Sequence, residues 1–316
     1  MKKLIAVFLL VLLVANTYAQ KAKVTSNLNF MGSIGSYPIE MSLKFTNYAD
    51  SVSGSYYYRK SGKDNYIYLD GKLKNGILTL QESTYNVKKK KSEETGFFKM
   101  DYITKTKLSG SWQKNKNANP EKYMSVKLSS REKLADFNPL GYDFIMSKRK
   151  ANYENITENA ARYFTLHSIN INVNKHAKWV LSDFDRYDLV LNEVELEDVN
   201  FDGYIDIKIP VYYPDMAKND YGYRYFLYDV KSKGFRKNSR LNELDVLFIN
   251  PVGKELEKID ADGSGNEGTQ YYKWQNGKLY LTKEIRVYEN DEYVHYTEYK
   301  IENDQSVKVK SYKKKE

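Results

Sequence analysis

Between Asp198 and Ile209 the chain reads Asp-Val-Asn-Phe-Asp-Gly-Tyr-Ile-Asp-Ile-Lys-Ile. Oxygen-bearing side chains fall at alternate positions, Asp198, Asn200 and Asp202. A glycine follows at 203, and a further carboxylate, Asp206, heads an apolar alternating run. Calcium takes about 6–8 oxygens at roughly 2.3–2.6 Å from carboxylates, amides and backbone carbonyls. A tight coil turns three alternate side chains toward one centre, and Gly203 permits the sharp bend. Tyr204 then supplies a backbone carbonyl and Asp206 closes the site. An EF-hand needs a glutamate at the twelfth position, where this chain has Ile209, so the pattern is the shorter loop found between strands. Oxygen-only donors favour Ca²⁺ over transition metals, in a structural role. The competing reading is a β-hairpin whose Asp-Gly corner is turn chemistry, its carboxylates facing water.

A second acidic stretch runs from Asp260 to Gly268. Ligand alternation stops after Asp262, so a second cation is a weaker reading than a mobile hairpin loop. The third reading is an exposed recognition loop, with Ser264, Gly265, Asn266, Glu267 and the following Tyr271 as partner-binding residues, because binding residues concentrate on loops. Catalysis finds little support. His167, His176 and His295 are scattered without a metal-ligand spacing, and the chain has no cysteine and no nucleophile-elbow motif. Carboxylates are abundant enough for a glycosidase-like acid pair, but nothing selects one pair.

The N-terminus speaks to compartment. Lys2 and Lys3 precede an apolar run from Leu4 to Ala15, and Thr17-Tyr18-Ala19 offers small residues at the −3 and −1 positions of a cut before Gln20. This is the pattern of a secretory signal peptide over residues 1–19, with an exported, periplasmic or extracellular product and no integral membrane segment afterwards. Without cysteine no disulfide braces the fold, and stability must come from apolar burial and from any bound metal. The net charge of +9 is partly local, in Lys88–Lys91 and the tail Lys313–Lys315. Those runs read as solvated loops or frayed ends, or as attraction to an acidic partner, a membrane surface or an anionic cell wall. Nucleic acid fits an exported chain poorly.

The elements that must position these loops read as β throughout. Ile39 to Phe45, Val52 to Tyr58, Ile67 to Leu73, Ile77 to Leu80, Phe97 to Ile103, Leu108 to Trp112 and Met124 to Leu128 alternate with a period of two, separated by turn residues. Such a meander, at residues 20–135, closes into a small barrel. Gly54, Gly71 and Gly110 inside its strands mark crowding or bends. Trp112 and the trio Tyr56–Tyr58 read as core or cross-strand packing more readily than as a pocket lining. After a linker at 132–141, a second β-rich domain at 136–316 is expected to be propeller-like or sandwich-like, with one short helix from Thr157 to about Phe164.

Two resemblances rest on particular residues. Gly32-Ser33-Ile34-Gly35, Tyr37-Pro38-Ile39-Glu40-Met41, Gly54-Ser55-Tyr56-Tyr57-Tyr58, Thr95-Gly96-Phe97 and Leu108-Ser109-Gly110-Ser111-Trp112 make the first hundred or so residues resemble a lipocalin- or avidin-like barrel module of exported bacterial proteins. Asp198 to Ile207, Tyr225-Phe226-Leu227-Tyr228-Asp229 and Tyr271 to Leu279 resemble exported proteins related to the inhibitor of a lysozyme-like effector of a bacterial type IV secretion system. That resemblance implies a calcium-bound propeller-like domain and an inhibitory surface against a peptidoglycan hydrolase. The Ser-Gly-x-x-Tyr element such inhibitors use is incomplete here: Ser264-Gly265 runs on to Asn266, Glu267 and Gly268. Ser53-Gly54-Ser55-Tyr56-Tyr57 fits literally but falls in an expected barrel strand. The expectation is an exported, calcium-binding, non-catalytic protein with a protein partner. The alternatives are a barrel carrying a small apolar or peptidoglycan-derived ligand beside a structural calcium domain, and an enzyme acting on cell-wall glycan.

Overall fold

The computed structural model describes residues 17–104, 106–114, 123–150, 163–185, 188–213 and 220–315. The chain is all-β, with one short α-helix among the described residues. By contact it falls into two units. The first takes the residues up to Asp198 with 203–222 and 226–236, and the second takes 199–202, 223–225 and everything from Lys237. The expected domain boundary at 135/136 lies inside the first unit.

A strand β1, Thr17–Lys21, comes first. The barrel is then β2 (Lys23–Ile34), β3 (Tyr37–Thr46), β4 (Ser51–Tyr58), β5 (Ile67–Lys74), β6 (Ile77–Asn86), β7 (Lys91–Thr104), β8 (Lys107–Gln113) and β9 (Met124–Ser130). Each pairs antiparallel with the next, and Val126–Ser130 pairs back onto Ile34–Phe30 to close the ring. Alternate residues point inward, among them Phe30, Met41, Leu43, Leu69, Leu80, Phe98 and Leu128, and all are buried. Period-two sequence therefore becomes a filled interior, worth about 25 cal/mol per Å² of apolar surface removed from water. A Cβ on Gly54, Gly71 or Gly110 would stand 2.1, 1.9 or 2.1 Å from a carbonyl oxygen of the adjoining strand, so only glycine fits where the ring is tightest. The turn at Asn75-Gly76 has both residues at positive φ (51° and 75°), the primed geometry that suits a twisted hairpin.

An acid, Glu82, lies inside the barrel. Glu82 is 4% exposed and accepts hydrogen bonds from the Tyr56 hydroxyl (2.6 Å) and the Trp112 indole N–H (2.8 Å). Burial and the Glu82 charge push the Tyr56 hydroxyl up, so it stays a donor. Tyr56 and Trp112 are thus interior packing with a polar handle.

In the first unit the same sheet continues beyond the barrel. β1 pairs with β10 (Asp143–Lys150), and β10 with β11 (Phe164–Val173). β11 in turn pairs with β12 (His176–Leu181) and β13 (Leu189–Val190). β14 (Glu193–Glu197) runs antiparallel to β15 (Asp206–Tyr213) and parallel to Lys23–Ser26 of β2. β2 therefore joins the two parts of this sheet, its start on β14 and its end in the barrel closure. β1 spans the expected cleavage point, with Thr17–Ala19 registered on Arg149–Ser147 and Gln20–Lys21 on Met146–Ile145. The helix expected over Thr157–Phe164 lies mostly outside the described residues, and Phe164 itself opens β11. Next come β16 (Asp220–Asp229) and β17 (Gly234–Lys237).

In the second unit the helix α1 (Ser239–Leu244) is capped by Asn238, whose Oδ1 accepts from the Leu241 N–H (2.9 Å). An antiparallel meander comes after it: β18 (Phe248–Asn250), β19 (Glu255–Ala261), β20 (Glu267–Gln275), β21 (Lys278–Val287), β22 (Tyr293–Glu302) and β23 (Gln305–Lys315). β23 corrects one expectation, because Lys313–Lys315 are not a frayed end but edge-strand residues registered on His295–Tyr293. Asn303 and Asp304, both at positive φ, make the tight turn that pairs them, and edge lysines discourage further strand addition.

Candidate functional site

The loop entering β15 is built by its own side chains. Asp198 Oδ2 accepts from the Gly203 N–H (2.8 Å), and Oδ1 of the same carboxylate is buried. Asn200 Oδ1 accepts from the Asp202 N–H (3.1 Å), while its amide nitrogen donates to Asp202 Oδ2 (3.1 Å). These bonds reverse the chain twice, at Phe201 (φ 59°) and Gly203 (φ 91°). Left-handed backbone at a phenylalanine costs about 1–2 kcal/mol, so the loop conformation is held rather than drifting. Gly203 is also needed sterically: a Cβ there would meet the Lys133 stem at 2.9 Å. The Gly203 carbonyl accepts from the Lys133 N–H (2.7 Å), and the Lys133 ammonium lies 4.6 Å above the Tyr204 ring. Tyr204 in turn packs on Tyr228 (5.8 Å).

The five residues read as metal ligands do not share one environment. Asp202 is exposed and Asp198, Asn200 and Tyr204 are half-buried, whereas Asp206 is 0% exposed and its Oδ1 accepts from the Tyr228 N–H (2.8 Å). Among the described residues no three His, Cys, Asp or Glu side chains come together as a metal-holding group. A hard cation on this loop would thus draw on the Asn200 amide and backbone carbonyls beside the carboxylates, a donor set calcium accepts and transition metals do not prefer.

The loop between β19 and β20 is also self-bonded. Asp262 Oδ1 accepts from the Ser264 N–H (2.7 Å) and the Asn266 N–H (3.3 Å), and Oδ2 accepts from the Asn266 amide (2.6 Å). Hydrogen bonds from Asn266, then Ser264, hold the Asp262 carboxyl below the usual aspartate range. Asn266 Oδ1 accepts from the Glu289 N–H (3.1 Å), and a Cβ on Gly265 would strike the Glu289 side chain. Ser264, Gly265 and Glu267 remain exposed at the tip, while Tyr271 lies on β20 under the Lys283 ammonium (5.0 Å). The structure therefore does not join Tyr271 to the loop tip. His167 and His176 are exposed, and His295 pairs with Asp291 at 2.6 Å.

Sequence reasoning missed a cup of about 420 Å³ at one end of the barrel. Its wall is Phe45 stacked on Tyr102 (5.4 Å between centroids, planes at 29°), which no run of neighbouring residues announces because the two sit on β3 and β7. Burial, then the Glu132 charge, pushes the Tyr102 hydroxyl up to about 12. Glu132 is itself buried, which raises its carboxyl, and accepts from the Asn29 backbone N–H (2.9 Å), the Asn29 amide (3.0 Å) and the Ser130 hydroxyl (2.5 Å).

No family model matches this chain, and no curated protein matches it. Among solved structures, a Xanthomonas type IV secretion system related protein is 13% identical over 53% of this chain and 89% of its own, with a TM-score of 0.41. A putative 6-phosphogluconolactonase from Bacteroides uniformis is 8% identical over 90% of this chain and 95% of its own, with a TM-score of 0.24. Among the described residues no helix is long and apolar enough to cross a membrane.

Proposed function

We propose that this is an exported, non-catalytic binding protein that takes a structural calcium ion on the loop Asp198–Asp206 and acts on a macromolecular partner, in its sharpest form by inhibiting a lysozyme-like peptidoglycan hydrolase. The observation that carries the reading is the loop itself. Alternate oxygens at 198, 200 and 202 sit on a backbone reversed at Phe201 and Gly203, with a third carboxylate, Asp206, where the strand begins. Asp198, Asn200 and Asp202 would hold the ion with backbone carbonyls. It would supply charge neutralisation for acids that otherwise repel each other, and no chemical step. Asp206 serves β15 through its bond to Tyr228 and is the most buried of the candidate ligands.

The test is thermal melting of the full chain in excess calcium and in excess chelator. Calcium at about a hundred times its Kd stabilises by about 2.7 kcal/mol. In a chain of this size that raises the melting temperature by roughly 5–10 °C. Equal melting points would remove the metal from the reading. The inhibitory role is tested separately against a panel of lysozymes and lytic enzymes; a panel left fully active at micromolar protein would overturn it while leaving the calcium reading intact.

A further inference from the structure

The cup at the barrel end has a chemistry that sets it apart from the rest of the molecule. Lys and Arg make up 50 of 316 residues, yet neither type lines the cup, and among the described residues Asp50 is the sole charged side chain that does. Leu28, Val52 and Leu73 form an apolar floor, and the Phe45–Tyr102 pair forms an aromatic wall. Leu140 covers one side, carried on the 3-10 turn Pro139–Gly141 that Asn138 caps. Lys23, the cation at the rim, lies over the Tyr48 ring at 5.3 Å and does not line the cup.

The rim is built to stay open. Asn47 Oδ1 accepts from the Val24 N–H (2.8 Å), the Thr46 hydroxyl donates to the Ala49 carbonyl (3.1 Å), and the Leu73 N–H donates to the Asp50 carbonyl (2.8 Å). Each bond ties the β3–β4 turn to itself or to a neighbouring strand, so ligand binding need not order the mouth. The volume falls within the span of about 300–1,000 Å³ typical of small-molecule sites. Below the rim, the raised Tyr102 hydroxyl stays protonated through the physiological range and donates or accepts as a neutral group.

We propose that this cup binds a small, flat aromatic molecule that carries no negative charge, its rings continuing the Phe45–Tyr102 stack, and that it rejects carboxylates, sulfonates and phosphates. The inference stands on the barrel end alone and is independent of the calcium loop.

Two dyes that share an anilinonaphthalene body test it, N-phenyl-1-naphthylamine, which is neutral, and 8-anilino-1-naphthalenesulfonate, which adds one sulfonate. Fluorescence titration of the full chain should show saturable binding of the neutral dye, with the sulfonate at least about tenfold weaker, a difference of about 1.4 kcal/mol. Asp50→Lys, at an exposed position, should close that gap by strengthening the sulfonate. Ser26→Phe, which fills the cup from β2, should abolish binding of the neutral dye at an unchanged melting temperature. Equal affinity for the two dyes, or neutral-dye binding that survives in a folded Ser26→Phe protein, would overturn the proposal. If Ser26→Phe fails to fold, the Asp50→Lys arm alone decides: no change in the dye ratio overturns it.

Discussion

In the loop entering β15, Asp198 and Asn200 bind backbone N–H groups two to five residues on, and the chain then runs into a strand whose first six residues are all buried. In the loop between β19 and β20, Asp262 makes the same kind of bond to Ser264 and Asn266, but the strands on either side remain largely half-exposed. The local chemistry is equivalent: a short acidic side chain takes the place of a backbone acceptor in a tight turn. The two loops differ at the residue where each turn gives way to its strand. The first loop ends on a carboxylate that must sit inside the protein, and the second on Glu267, which faces water. Acidic residues near a turn are therefore poor evidence of a cation until the fate of the last one is known.

Substitution at Asp206 should separate the two loops by the widest margin. Asp206→Ala removes a fully buried carboxylate and leaves the half-buried Tyr228 N–H without its side-chain acceptor, and should cost about 2–3 kcal/mol. That amounts to a fall of roughly 5–10 °C in calcium and in chelator alike. A loss seen in calcium only would make Asp206 a ligand first and a structural acceptor second. Asp202→Ala should do the reverse, removing the calcium-dependent rise of about 1–3 kcal/mol while leaving the melting point in chelator within about 0.5 kcal/mol of wild type. An equal loss in both conditions would mean that Asp202 only closes the turn with Asn200.

The second loop should give smaller effects. Asp262→Ala should leave the calcium response untouched, and any sizeable loss of it would place an ion on the second loop as well. The pH dependence is smaller still. The depressed Asp262 carboxyl contributes stability that is present above its unfolded value and lost as pH falls through the lower folded one. The Ser264 amide shift, followed by NMR, should therefore titrate below the usual aspartate range and not at neutral pH. A midpoint at the ordinary aspartate value would mean that the Asp262–Asn266 bonds do not persist in solution.

The strand pattern was legible from residue order because it depends on a two-residue period and on turn residues close in sequence. Phe97–Ile103, Leu108–Trp112 and Met124–Leu128 all fall inside β7, β8 and β9, and Asn276-Gly277 makes its turn at φ 51° and 74°. The last hairpin was equally available, since Asn303-Asp304 is a two-residue turn signal, but the run of lysines after it drew the reading toward a solvated tail. In the same way, the reversals at 201 and 203 follow from an alternation of Asp, Asn and Asp ahead of a glycine.

Only the tertiary structure decided which residues stand opposite one another across long stretches of chain. Residue order could not show that β2 closes the barrel with β9 while lending its first residues to β14, because that pairing spans about a hundred residues in one direction and more in the other. Nor could it show that Glu82 faces inward onto Tyr56 and Trp112, or that Asp206 turns to Tyr228. The cup, with no Lys or Arg among its described lining residues, is of the same kind, since Leu28, Phe45, Leu73 and Tyr102 come from four strands. A turn or an alternation is fixed by backbone dihedrals within a few residues, whereas a site's charge and shape come from side chains that only the closed sheet brings together.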